Sequence, residues 1–257
     1  MLDRIGFGWR VFATGLSFAL FGLGGLLLRV LVFPLLTLCV TDTAARVRAA
    51  RATVRLSFRA FVGIMRGLGV LRYELRGIDK LDREGQLILA NHPTLIDTVF
   101  LMAFVRNADC IVKGGLWTNP FTRGPVRAAG YICNDRGPEL IEDCIASLRA
   151  GGNLIIFPEG TRTPRGAPPA LKRGAANIAV RGARPVTPVR ISCEPLTLGK
   201  GDKWWHVPPR RASFRIAVMD DIGTERFLAP GVPDVVAARR LTDYLQHYFM
   251  EEDQQHA

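Results

Sequence analysis

The stretch QLILANHPTLIDTVFLMAFV, Gln86 to Val105, changes its hydrophobic period half-way. Leu87 to Ala90 is a continuous apolar run, short enough for a buried strand. Leu95 to Val105 suits a helix. Between them stand Asn91, His92 and Pro93, and Pro93 suits a first helical turn. A strand that enters a helix through a tight turn is the unit of an α/β domain. The turn beyond the strand's carboxyl end is the usual place for a site in such domains. His92 stands in that turn, and the chain has only four histidines. Asp97 follows five residues later; on a regular helix the two side chains would point about 140° apart. With His92 ahead of the helix, its ring can fold back over the first turn and meet the carboxylate. That contact would fix the tautomer, stabilise an imidazolium and leave the other ring nitrogen as a base. Taken alone, His92 is equally readable as a structural histidine with its hydrogen bonds satisfied.

The same alternation runs through the chain beyond Leu71. RYELRG, QLILA, CIVKG, GYIC, NLIIFP, PVTPVRIS and SFRIAVMDD read as strands. Leu95 to Val105, Pro138 to Ala150, Ala175 to Arg181 and Asp234 to Phe249 read as helices. The fold class is therefore α/β: a mixed sheet with flanking helices. PRGAPP, Pro164 to Pro169, is a loop rather than a domain linker. The expected division is 1–70 as membrane-anchoring helices and 71–257 as the α/β domain.

The first 70 residues differ in texture. Val11 to Leu28 carries no formal charge, and after Arg29 the chain stays apolar to Val40. A bilayer-spanning helix needs about 20 apolar residues. Arg29, Pro34, Gly22, Gly24 and Gly25 break a clean span. The segment reads as a single span, a re-entrant helix or a signal peptide. The last is the poorest match, because the run is long and no good small-residue cleavage site follows. A buried helix of a soluble protein remains the plain alternative. From Thr43, a candidate cap, a second helix places Val47, Val54, Phe58, Phe61, Val62, Met65 and Leu68 at near-helical spacing. Arg46, Arg48, Arg51, Arg55, Arg59 and Arg66 punctuate it. Such a helix suits a membrane interface, its arginines on phosphates and its stripe among acyl chains. An ordinary helix packed on the domain gives the same pattern.

The balance of the whole chain agrees with a membrane surface. It has 257 residues, 48% hydrophobic, with a net charge of +11. Eleven arginines against three acids put +8 of that charge before Gly77, where apolar residues also concentrate. Apolar and cationic together point to anionic lipid. Nucleic acid is a poor match, since no basic helix with interleaved aromatics occurs. Five arginines from Arg46 to Arg59 follow the apolar run, against Arg4 and Arg10 before it. The positive-inside rule then puts the downstream domain on the cytoplasmic side of the cell inner membrane. The five cysteines form no C-x-x-C pair, and their odd number argues against a closed disulfide set.

Three further blocks accompany His92 and Asp97. FPEGTR, Phe157 to Arg162, follows the strand NLII. Pro158 and Gly160 suit a sharp turn that brings backbone near a ligand, and Arg162 is suited to holding a phosphate by a paired fork. Upstream, GYICNDR runs from Gly130 to Arg136. Downstream, VTPVRI runs from Val186 to Ile191, and Pro188 there suggests a sheet edge or a strand end. LKRGAA, Leu171 to Ala176, follows the third block. In this order and spacing the blocks resemble those of the glycerolipid acyltransferases related to bacterial 1-acyl-glycerol-3-phosphate (lysophosphatidic acid) acyltransferase. The first block of that family is His-x4-Asp and its third is Phe-Pro-Glu-Gly-Thr-Arg. The resemblance covers about Tyr73 to Asp221. Cys133-Asn134 departs from it, because family members often carry apolar or aromatic residues there.

The resemblance implies transfer of a fatty acyl group from a thioester, on coenzyme A or acyl carrier protein, to a lysophospholipid hydroxyl, with phosphatidic acid as product. His92 would be the general base and Asp97 its orienting acid. Arg136 and Arg162 would anchor the acceptor phosphate, with Glu159, Gly160 and Thr161 shaping the pocket. A thiolate leaves readily, so no acyl-enzyme is required, and the chain has no G-x-S-x-G elbow to form one. No metal or cofactor is expected: His206, His247 and His256 are far apart, with no H-E-x-x-H. The rival acceptor is another lyso-lipid such as a lyso-ornithine lipid. The rival of another class is a non-catalytic protein that only binds lipid.

Overall fold

The computed structural model describes residues 2–119 and 122–254; His256 lies outside them. Seven strands form one sheet in the order β1-β7-β6-β2-β5-β3-β4. They are β1 (Leu71–Arg76), β2 (Leu87–Ala90), β3 (Ala108–Val112), β4 (Ile132–Cys133), β5 (Asn153–Ile156), β6 (Val186–Glu194) and β7 (Ala212–Val218). Five of the six strand pairings are parallel, and β6 meets β7 antiparallel, so the sheet is mixed. The central strand β2 is buried along its whole length, which explains why Leu87 to Ala90 reads as unbroken apolar sequence.

Helices cover both faces. One layer contains α3 (Thr43–Gly67) and α4 (Asp97–Phe104). Val54, Phe61, Val62 and Met65 of α3 are buried there with Phe100, Leu101 and Phe214. The other contains α7 (Glu139–Arg149), α8 (Gly174–Gly182) and α9 (Asp234–Gln254), with Leu148, Ile178 and Leu241 in its core. Two short helices, α5 (Gly114–Thr118) and α6 (Arg123–Ala128), bridge β3 and β4.

Several expectations change. Asp42, not Thr43, caps α3: its carboxylate accepts the Ala45 N–H at 2.7 Å. The apolar stripe of α3 faces the protein core rather than acyl chains, because α4 and the sheet offer it a partner. Arg51 does not reach outward either. Its guanidinium is 8% exposed, donates to Asp109 at 2.6 Å and to the Ala129 carbonyl at 2.9 Å, and so fastens α3 to β3. Arg59 lies over the Phe104 ring and Arg66 over Tyr73. Pro188 lies within a central strand, not at an edge. Three residue steps on β6 (Val186 to Val189) face four on the partner segment (Val218 to Ile222), and this bulge absorbs the missing N–H. Pro93 does not open a helix, since α4 begins at Asp97.

The apolar N-terminus forms α1 (Leu2–Leu27), a π-helical turn at Leu28–Val32, and α2 (Phe33–Cys39). Gly6–Cys39 is long and apolar enough to cross a membrane. The helices nevertheless lie along the domain. Phe18 and Phe21 of α1 stack near Phe58 and Phe61 of α3, Trp9 donates to the Leu68 carbonyl, and Phe33 of α2 is buried. Phe12, Leu23, Val30 and Leu38 point away, each at least 60% exposed.

Candidate active site

The blocks that follow β2, β4 and β5 emerge at the same end of the sheet. Strands β2, β5, β3, β4 and β6 run parallel, so the segments after them emerge together at their carboxyl ends. β2 delivers His92, β5 delivers Phe157 to Arg162, and β6 delivers the loop from Pro195. Asn91 ties two of these together: its side chain accepts the Ile191 N–H at 2.7 Å and donates to the Ile191 carbonyl at 2.9 Å.

His92 Nδ1 lies 3.0 Å from Asp97 Oδ2. The ring stacks on Phe157 with centroids 4.1 Å apart. Asp97 is fully buried and opens α4, where exposed N–H groups favour a negative charge. Thr94 donates twice to it, from its N–H at 2.6 Å and from its hydroxyl. Burial pushes the Asp97 carboxyl above the usual range, while the bonds from His92 and Thr94 pull the other way. When Asp97 is ionised it has no proton to give, and Nδ1 then carries the hydrogen toward it while Nε2 is free to accept one.

The FPEGTR turn supports this pair from below. Glu159 is buried; one oxygen accepts the His92 N–H at 3.0 Å and the other the Thr163 hydroxyl at 2.6 Å. The Thr163 N–H returns to the His92 carbonyl at 2.9 Å. Both Glu159 oxygens therefore hold the protein together, which makes it a positioning residue. Gly160 has φ +70°, and a Cβ there would meet Lys172 Nζ at 2.9 Å, so glycine lets this ammonium cover the turn. Thr161 is exposed beside it. Arg162 Nη1 donates to the carbonyls of Leu198 at 3.1 Å and Gly199 at 2.7 Å, leaving the rest of the fork for a ligand.

Arg136 stands apart from this group. It follows β4, three strands from β2 and therefore about 14 Å away at the usual strand spacing. It is exposed and pairs with Glu139 at 2.7 Å and Asp143 at 2.8 Å. Among the described residues no three His, Cys, Asp or Glu side chains gather as metal ligands would. Burial pushes the thiols of Cys144 and Cys193 up to about 12, so these cysteines are inert at neutral pH. A cavity of about 600 Å³ lined by Asp221, Ile222 and Tyr244 lies at the opposite end of the sheet, since Ile222 bridges the first residue of β6.

Sequence reasoning passed over Thr94, Phe157 as a ring support, Lys172 and Thr163. Thr94 carried a signal: Thr-x-x-Asp is the reciprocal pattern of a capping box, in which the acid reaches back to the threonine N–H. Lys172 lay inside LKRGAA, but only the fold brings it over Gly160.

Residues 72–192 match the family model described as Acyltransferase. A 1-acyl-sn-glycerol-3-phosphate acyltransferase of Pseudomonas aeruginosa is 31% identical over 137 residues, 51% of this chain and 53% of that protein. The enzyme of the same name from Helicobacter pylori is 28% identical over 184 residues, 68% of this chain and 74% of that protein. The alignment thus spans about half the length of the first relative. The fold is that of a crystal structure of the 1-acyl-sn-glycerophosphate acyltransferase PlsC from Thermotoga maritima. The two share a TM-score of 0.65 and 21% identity, over 93% of this chain and 96% of that one. Residues 72–192, just under half of this chain, thus match the Acyltransferase family model, and the chain is similar there to these 1-acyl-sn-glycerol-3-phosphate acyltransferases.

Proposed function

We propose that this chain moves a fatty acyl group from a thioester of coenzyme A or acyl carrier protein to the free hydroxyl of 1-acyl-sn-glycerol-3-phosphate, giving phosphatidic acid. The observation that carries this reading is the His92–Asp97 contact at 3.0 Å, built on a turn that Glu159 and Thr163 lock from behind. The acceptor hydroxyl gives its proton to His92 Nε2 as its oxygen attacks the thioester carbonyl. Asp97 holds the imidazole and stabilises the imidazolium. The C–S bond of the tetrahedral intermediate then breaks, and the proton on His92 goes to the departing thiolate. A protein that only binds lipid has no need of such a pair. The test is a panel: purified protein, acyl-CoA or acyl carrier protein as donor, several lyso-lipids as acceptors, and products identified by mass. Diacylglycerol phosphate as the main product supports the reading. An ornithine-lipid product would move the acceptor and keep the chemistry.

Arg162 is assigned to the acceptor phosphate through the fork atoms that the Leu198 and Gly199 carbonyls leave free, with Lys172 over the same turn. An ammonium does not replace a guanidinium at a two-bond site. Arg162→Lys is expected to weaken use of lysophosphatidic acid more than use of a lyso-lipid without phosphate. Equal losses on both acceptors would reduce Arg162 to a clamp on the loop.

The first 70 residues are assigned to holding the site at the cytoplasmic face of the inner membrane. Leu2 to Cys39 as helix is about 57 Å long, nearly twice the hydrocarbon thickness of about 30 Å. Because these helices lie along the domain with one face exposed, insertion of that face into one leaflet fits better than a perpendicular span. Apolar insertion does not decay with salt, whereas surface attraction is screened over about 3 Å in 1 M salt. A wash in about 1 M salt should therefore leave the protein on membranes, and detergent should release it. Release by salt alone would mean that the helices merely rest on the headgroups.

A further inference from the structure

The loop from Pro195 to Arg211, between β6 and β7, enters the site only through its base, where the Leu198 and Gly199 carbonyls hold Arg162. Its tip presents Trp204 and Trp205, 45% and 47% exposed, with their rings edge-on at 5.5 Å. Lys203 lies over the Trp205 ring at 5.0 Å. Lys200 and Arg210 are exposed on either side, while the acid of the loop, Asp202, is paired with Arg165 at 3.0 Å. The loop also leans on α1. A Cβ on Gly15 would fall 3.1 Å from the Trp204 ring, so the glycine admits the indole against the helix. Arg10 donates to the Pro209 carbonyl. Gly15 is one helical turn from Phe12, which is 60% exposed, so the tryptophan pair continues the open apolar face of α1.

We propose that the Trp204–Trp205 tip is a second membrane contact, seated at the headgroup–acyl boundary of an anionic leaflet. Indoles favour that depth because the ring is apolar and the N–H is wet, and the unpaired cations around them match anionic lipid. Continuity with the exposed face of α1 puts both on one surface. The base of the loop carries the consequence to the site. The Leu198 carbonyl accepts the Leu95 N–H at 2.9 Å, three residues from His92, and also Arg162. The depth of the indoles thus sets the height of the His92 turn above the lipid that supplies the acceptor. The inference rests on the proposed function for its purpose, but not for its test.

The chain has four tryptophans, so Trp9→Phe with Trp117→Phe leaves only the loop pair. This variant is reconstituted with phosphatidylcholine–phosphatidylglycerol vesicles carrying nitroxides either at the headgroup and upper chain or deep in the chain. Emission should shift to the blue, lose access to aqueous iodide, and be quenched more by shallow than by deep nitroxides. A variant that floats with the vesicles yet stays open to iodide and untouched by nitroxides overturns the proposal and leaves the α1 anchor standing. A variant that does not float overturns both. Shielding from iodide by added acyl carrier protein, without lipid quenching, would assign the tip to a protein instead. In the activity arm, Trp204→Ser with Trp205→Ser should lower turnover on vesicle-borne acceptor and spare turnover on a micelle-dispersed one. Equal turnover of this variant and the unmodified chain on vesicles counts against the coupling to the site. Failure of the unmodified chain to transfer acyl groups at all would remove the enzymatic reading and not the quenching result.

Discussion

His92→Ala is expected to lower turnover by about 10²–10⁴-fold, the usual contribution of a positioned general base, while lipid binding is largely kept. The imidazole bonds through its side chain to Asp97, which keeps both Thr94 donors when the ring is removed, so the change disturbs the fold little. Asp97→Asn separates orientation from charge. The amide preserves shape, but its NH2 group can face Nδ1 and select the wrong tautomer, so a loss of about 10⁴-fold is the expectation from triad chemistry. Single-turnover acyl transfer from a radiolabelled thioester checks both. A folded His92→Ala protein with near-normal turnover would leave the site without its base.

Arg51→Met is expected to cost about 3–5 kcal/mol of stability, because it strands a buried charge rather than deleting a surface pair. Asp109 is 1% exposed and receives Arg51, the Ser147 hydroxyl and the Cys110 N–H. Burial already pushes its carboxyl above the usual range, and Arg51 is the main force against that. Without Arg51 the folded chain would hold a proton on Asp109 more tightly than the unfolded chain, whose carboxyl titrates near about 3.9. The deficit is then full above the raised folded value and shrinks as pH falls through it. Denaturant midpoints at neutral and mildly acidic pH check the sign. Arg51→Met with Asp109→Leu should recover part of the loss. A deficit under about 1 kcal/mol for the single change would mean that water reaches the pair, as at a surface bridge.

Arg51 also shows where sequence stops informing. The stripe of α3 was readable from its spacing, and Arg51 lies on it, three residues before Val54 and seven before Phe58. Periodicity marks the face that is covered and not the material that covers it; lipid and protein core demand the same residues. The strands were legible because β2 and β5 are short apolar runs between turn residues, while β1 alternates apolar with charged positions. The short helices α5 and α6 were not, since they span one or two turns and carry glycine or proline. At the site, the spacing from His92 to Asp97 announced a contact, and Phe157 to Arg162 a turn beside it. The engagement of Arg162 with the loop carbonyls depends on β6 lying next to β2, which no local pattern encodes. The fold likewise turned an unremarked Trp-Trp pair into a neighbour of α1.

The central claim is direct transfer from thioester to acceptor hydroxyl, promoted by His92 and without an acyl-enzyme. It is tested most directly by following thiol release and diacyl product together, with acyl thioester supplied first alone and then with 1-acyl-sn-glycerol-3-phosphate. Direct transfer predicts negligible thiol without acceptor, no mass increase of the protein by an acyl group, and one thiol per phosphatidic acid once acceptor is added. A burst of thiol before acceptor is present, with an acyl group retained on the chain, would contradict it.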